Sequence, residues 1–179
     1  MSWLIESPWF SVTAPITAGT HCRSPGLTDQ IVAQFDVARH PRYKARDLSG
    51  TGRIDTLCNI FVSDVTRALG CEANHLEMGP DGKPVELSAN ALIRWLINTG
   101  PRHGWVRSST AEAPVQADDG KVVVAAWLSP PGGIGHVAMV VPSFGKSGIL
   151  ISQAGARNFE REPVDHGFAR LPVMYFMHP

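Results

Sequence analysis

The distribution of apolar and polar positions divides the chain into a helical first half and a stranded second half. Between Thr56 and Gly70 the residues Leu57, Ile60, Phe61, Val62, Val65, Ala68 and Leu69 cover most of a helical surface, leaving Asn59, Ser63, Thr66 and Arg67 on one narrow polar side. An apolar surface that wide predicts a helix packed on most sides, with Asp55 or Thr56 as N-cap and Gly70 as its stop. A first helix is predicted over 28–40, opened by Thr28, carrying Ile31, Val32, Phe35 and Val37 and ending before Pro41. A third is capped by Ser88 and runs through Asn98, with Leu92, Trp95 and Leu96 at helical spacing and Gly100-Pro101 as its end.

After Asp118-Asp119-Gly120 the period changes. Residues 122–128 form a continuous apolar run, Ser129-Pro130-Pro131-Gly132-Gly133 is a loop signal, and 135–141 follow as a second strand. A turn over 144–148 leads to a third strand at 149–154, and 173–176 add a closing run. Helices first and consecutive strands with hairpin-length links afterwards predict an α+β fold: N-terminal helices, among them a central cysteine-bearing one, packed on an antiparallel sheet. Residues 1–27, rich in Pro, Gly, Thr and Ser with Trp3, Trp9 and Phe10 as anchors, read as an irregular lead to one domain over 28–179. The polar stretch 42–52 reads as loop.

Composition narrows the function classes. With 179 residues, 44% of them hydrophobic and 18% charged, the chain can bury a core without staples and is not a disordered segment. Lys plus Arg balance Asp plus Glu at 16 each and form no basic run, which argues against nucleic acid or anionic lipid as partner. No apolar run approaches the roughly 20 residues of a membrane span, so no membrane insertion is expected. The N-terminus lacks a basic region followed by an apolar one, so no general-secretion signal is expected. Three cysteines are too few for a disulfide scaffold, although a Cys22–Cys71 bridge would leave Cys58 free. No C-x-x-C pair is present, and neither a metal nor another cofactor is expected.

The candidate chemistry lies in two places. Cys58 stands at the start of the central helix, where unpaired backbone N–H groups favour thiolate and lower the pKa below the free value of about 8.5. His136 heads the strand 136–141, freed of neighbouring side chains by Gly133 and Gly135, and alternation places it on the face of Ala138 and Val140. An imidazole held there can meet a helix packed on the sheet and act as its base. A third group must accept the second imidazole N–H. Gln153, on the next strand, has the amide oxygen for it, with Ser152, Asn158 and Asp165 as weaker candidates.

The run from Thr56 to Val65, then Gly135-His136-Val137-Ala138-Met139-Val140-Val141, then Ser152-Gln153-Ala154-Gly155-Ala156, resembles the papain-like peptidoglycan hydrolases, NlpC-type and CHAP-type domains and the amidase effectors of type VI secretion among them. The resemblance spans roughly 40–178 in order and spacing. It implies a papain-like (NlpC-type) fold and a cysteine peptidase or amidase that hydrolyses amide bonds in peptidoglycan peptide stems, with Cys58 as nucleophile, His136 as base and Gln153 as the polar third residue. It further implies that Tyr43, upstream of the cysteine, lines the substrate side. Leu57 and Asn59 flank the cysteine where NlpC-type domains commonly carry Asp and Ser, which removes the usual recogniser of a free stem amine. Asn59 and Trp127 are further candidate substrate contacts, Trp127 and Trp105 through stacking in a groove. An antibacterial effector acting in the periplasm of a target bacterium after non-classical delivery, and plugged by an immunity protein, is the preferred reading of these features; a phage lysin released by a holin and a housekeeping wall enzyme are the alternatives. The rival readings are a thioester-forming acyltransferase or lipase, which an apolar trench beside Cys58 would favour, and a non-catalytic module of a phage tail or secretion apparatus with Cys58 sealed in the core.

Overall fold

The computed structural model describes residues 17, 18, 22–48 and 50–179. Trp3, Trp9 and Phe10, the anchors of the expected lead, lie outside the described residues.

Helix α1 (Pro25–Gln34) starts three residues before Thr28, because Ser24 caps it and Pro25 suits its first turn. It stops at Gln34, well short of Pro41. Phe35 and Val37 are both fully buried, and two positions apart a helix would point them to different sides. The chain breaks at Asp36, φ +40°, instead.

Helix α2 (Cys58–Ala68) is central, as its pattern predicts: every residue except Arg67 is buried. Gly70, φ +74°, ends it. Its expected cap is absent, since Leu57 occupies the N-cap position with no side-chain hydrogen bond. Asp55 is engaged elsewhere, exchanging backbone hydrogen bonds with Arg46. The polar side is also covered. Ser63 meets the ring of His75 at 2.6 Å, Thr66 donates to Val62 and accepts from the Ala73 amide, and Asn59 reaches a hairpin of strands β1 (Leu76–Met78) and β2 (Pro84–Glu86). Helix α3 (Ala89–Asn98) has Ser88 as its cap, as expected.

One antiparallel sheet receives these helices. Strands β3 (Val106–Ser108), β4 (Val122–Trp127), β5 (His136–Val141), β6 (Leu150–Gln153), β7 (Phe159–Pro163) and β8 (Met174–His178) lie in the order β3-β8-β4-β5-β6-β7. The closing strand therefore inserts between β3 and β4. Val137, Met139 and Val141 of β5 join the core with α1, α2 and α3. Ala138 and Val140 join a second core with α4 (Glu112–Asp118) and α5 (Val164–Phe168) on the other face. The molecule is thus α+β, with helices on both faces of an antiparallel sheet. Among the described residues no helix is long and apolar enough to cross a membrane.

Tyr43 corrects an expectation. It lies in a 3-10 turn, Pro41–Tyr43, fully buried with its ring edge-on to Phe61, and its hydroxyl donates to Asp64 Oδ2 at 2.7 Å. It braces α2 and lines no part of the groove described below. Arg42 completes the brace with two hydrogen bonds to the same carboxylate, at 2.7 and 3.2 Å. Breaking a buried ion pair from one side leaves the other charge stranded. Asp64→Ala is therefore expected to lower unfolding free energy by about 3–5 kcal/mol, and Tyr43→Phe, which removes one hydrogen bond, by about 1–3 kcal/mol, both read from urea unfolding midpoints.

Candidate functional site

The site begins with the uncapped end of α2. The first intrahelical bond runs from the Phe61 amide to the Leu57 carbonyl, so the amides of Cys58, Asn59 and Ile60 have no acceptor within the helix. The His136 side chain and the amides of Asn59 and Val137 of β5 lie beside the Cys58 sulfur, where each favours the thiolate. Burial pushes this thiol up. The hydrogen bond and charge of His136, with the two amides, outweigh it and bring Cys58 below its ordinary value. Burial likewise pushes the His136 imidazole down, and Cys58 and Gln153 overcome it to hold the ring above its ordinary value. The two groups titrate as a pair, with thiolate and imidazolium supporting one another.

Gln153 sets the imidazole's tautomer. Its Nε2 donates to the Arg157 carbonyl at 3.0 Å, which turns Oε1 toward His136 Nε2 at 2.6 Å. An amide oxygen can only accept, so Nε2 carries the hydrogen and Nδ1 is left for the sulfur. Two residues that sequence patterning does not mark complete the arrangement. The ring of Phe168 lies 4.9 Å from that of His136 and is 1% exposed, covering the imidazole on the α5 side. Gly167 precedes it because a Cβ there would overlap Gln153 Oε1.

The meeting point differs from the expected one. His136 shares its face of β5 with Ala138 and Val140, which pack on α4 and α5, while α2 packs on the opposite face. The imidazole reaches the sulfur only because it heads the strand, at the sheet's end, where the α2 N-terminus abuts residues 136 and 137. Together Cys58 and His136 line an open groove of about 780 Å³. Its walls come from the 53–59 segment, from Glu86 to Asn90, and from Gly132 to Gly135, with the exposed side chains of Ile54 and Ile134 at its edge.

The structure therefore brings Cys58, His136 and Gln153 together. Asn59 lines the groove, but its amide is committed to Glu86 at 2.7 Å and the Leu87 carbonyl at 2.9 Å, which makes it a tie between α2 and β2 rather than a free contact. Trp127 corrects a second expectation: it stands opposite His136 in the β4–β5 register and packs on the α4–α5 core, outside the groove. Trp105 is buried in the other core. The weaker candidates for the third position act elsewhere. The Ser152 hydroxyl accepts from the Arg161 amide, Asn158 donates to the carbonyls of Val37 and Tyr43, and Asp165 stands in the first turn of α5.

A second pair of catalytic residue types, Ser63 and His75, is structural. Ser63 is fully buried and His75 6% exposed, and burial holds that imidazole down to about 4, so it stays neutral. All three cysteines are free thiols. Among the described residues no group of three or more His, Cys, Asp and Glu side chains is placed to hold a metal ion. No protein-family model matches the chain, and no curated protein matches it.

The electrostatics make a direct prediction. Alkylation of Cys58 by iodoacetamide, followed by peptide mass, is expected to remain fast at pH values where an ordinary thiol is protonated. In His136→Ala burial acts with less opposition, and the inflection moves upward; an unchanged profile would show that the imidazole does not stabilise the thiolate.

Proposed function

We propose that the chain is a papain-like cysteine hydrolase that cleaves an amide bond in the peptide stems of peptidoglycan. The observation that carries this reading is the thiol–imidazole–amide relay of Cys58, His136 and Gln153, whose first two members line an open groove. The groove also suits a peptide better than an acyl chain. Arg53, Asp55, Thr56, Glu86 and Ser88 stand among its lining, so its walls offer charge and hydrogen bonds at many points.

In this mechanism the Cys58 thiolate attacks the amide carbonyl carbon while the carbonyl oxygen takes the electron pair and turns toward the Cys58 amide at the free helix end. His136 Nδ1 gives its proton to the leaving nitrogen, the C–N bond breaks, and an acyl thioester remains on Cys58. Water then loses a proton to Nδ1 as its oxygen attacks the thioester, and the acid product leaves with the thiolate restored. Gln153 keeps Nε2–H engaged throughout, so the ring presents the same nitrogen in both half-reactions.

The placement as an antibacterial effector belongs to the same proposal. Delivery to the periplasm of a target cell would bring the groove to its polymer, and an immunity protein would act by covering the mouth beside Cys58.

Digestion of purified peptidoglycan with mass analysis of the fragments tests the chemistry and identifies the bond. The protein is expected to release stem fragments in which one amide is replaced by a free acid and a free amine. Cys58→Ala is expected to lose on the order of 10⁴-fold or more in rate with an unchanged fold, and Gln153→Ala roughly a hundredfold. Activity should fall on the acid side as the depressed Cys58 thiolate takes a proton, and on the alkaline side as the elevated His136 loses its own. Intact stems after digestion by the wild-type protein would overturn the substrate; equal rates for wild type and Cys58→Ala would overturn the nucleophile.

A further inference from the structure

We infer that Asn90, on the first turn of α3, is a positioning residue for His136: its amide locks the β4–β5 loop and thereby fixes where the imidazole meets Cys58. The inference rests on the reading of Cys58 and His136 as a reacting pair.

The loop that delivers His136 has a weak framework of its own. Residues 129–135 include Pro130 and Pro131, which carry no N–H, and three glycines, which restrict the backbone least. Its internal bonds are few: the Gly133 amide and the Ser129 hydroxyl both donate to the Pro130 carbonyl, at 3.0 and 3.1 Å. A base must be held to about 0.5 Å to work with its nucleophile, so the order has to come from outside the loop.

Asn90 supplies it. Its Nδ2 donates to Ser129 Oγ and to the Gly133 carbonyl, both at 2.9 Å, and its Oδ1 accepts the Ser129 amide at 3.1 Å. Three bonds from one side chain span both ends of the loop's turn. The helix behind it is rigid, because Leu92, Ile93 and Leu96 are buried and Ser88 caps the first turn. Two of the glycines are there to admit this clamp. A Cβ on Gly135 would overlap Asn90 Oδ1 and come within 2.9 Å of the Trp127 carbonyl, and one on Gly133 would come within 2.9 Å of Ser129 Oγ. Gly135 is the residue immediately before His136, so the clamp bears on the base through a single peptide unit.

Asn90 also lines the groove. Both of its amide hydrogens are already used within the protein, so it has no donor to offer a substrate. Its contribution passes through the loop.

The test reads the Cys58–His136 contact without any substrate. Iodoacetamide labelling of Cys58 is followed against pH by peptide mass, with the exposed Cys22 in the same sample as internal reference. Asn90→Ala is expected to move the inflection of the Cys58 labelling profile upward by about one unit, which slows labelling about tenfold on the acid side of the wild-type inflection, and to leave Cys22 unchanged. Gly135→Ala should shift Cys58 in the same direction, because its Cβ would collide with Asn90 Oδ1 and press on the Trp127 carbonyl. Ser129→Ala removes one acceptor of the clamp, predicts a smaller shift of the same sign, and decides the matter if Asn90→Ala fails to fold. A Cys58 profile unmoved by Asn90→Ala or, in that case, by Ser129→Ala, but moved by His136→Ala, would overturn the clamp alone. A profile unmoved by His136→Ala would overturn the reacting pair and the clamp with it.

Discussion

Because the carbonyl of Arg157 can accept but not donate, Gln153 must point its amide hydrogens there and its oxygen toward His136, and the imidazole must then carry its hydrogen on Nε2. The other nitrogen faces the sulfur with its lone pair in the neutral state and its proton in the charged one. Every chemical property argued for Cys58 follows from that orientation. An imidazole in the opposite tautomer would present an N–H to a thiol that needs a base. The constraint is also inexpensive to keep, since the atoms that impose it belong to a sheet strand and to a loop tied by Asn158 to the carbonyls of Val37 and Tyr43.

Two opposing effects decide the charge of the pair. Cys58 is 1% exposed, and burial alone favours the neutral thiol and the neutral ring. The mutual attraction of thiolate and imidazolium, helped by the amides of Asn59 and Val137 on the sulfur and by Gln153 on the ring, reverses both burial shifts. Phe168 strengthens the attraction by keeping water from the outer side of the ring. The same burial that penalises each charge alone makes the charges useful to each other.

The sequence revealed those elements whose patterning is dictated by a core. Helix α2, helix α3 and strands β4, β5 and β6 have buried faces, and their periods gave them away to within a few residues. Cys58, His136 and Gln153 were legible because each stands at a defined place on such an element. What stayed hidden has no apolar period to display. The β1–β2 hairpin offers three residues a side, mostly exposed, and β7 carries Glu160, Arg161 and Glu162 on a sheet edge with a bulge against β6. Phe168 is an ordinary aromatic on a five-residue helix, and nothing local says that it covers an imidazole. Tyr43 fails differently: its proximity in sequence to Cys58 invites a role in the groove, whereas a carboxylate one and a half turns along α2 draws its hydroxyl away. Alternation along β5 fixes which residues share a side with His136 but not which layer covers that side, and the layer is α4 and α5 rather than α2.

The start of α2 is the place where a rule of helix formation is broken and the breach can be accounted for. Asp55 and Thr56 are good caps two residues and one residue upstream of Leu57, and a side-chain cap is worth about 1 kcal/mol. Neither is used. Asp55 is held back by its backbone pairing with Arg46 and by the Leu48 amide that its carboxylate accepts at 3.4 Å. A cap at the helix start would consume an amide of the first turn. Without it, the Asn59 amide is left beside the Cys58 sulfur, and the Cys58 amide has no acceptor within the helix. The helix gives up stability at one end, where its other ten residues, nearly all buried, hold it in place regardless. What it gains is a thiolate supported by backbone and an unspent donor beside it, which is the pair of features that attack on a carbonyl requires.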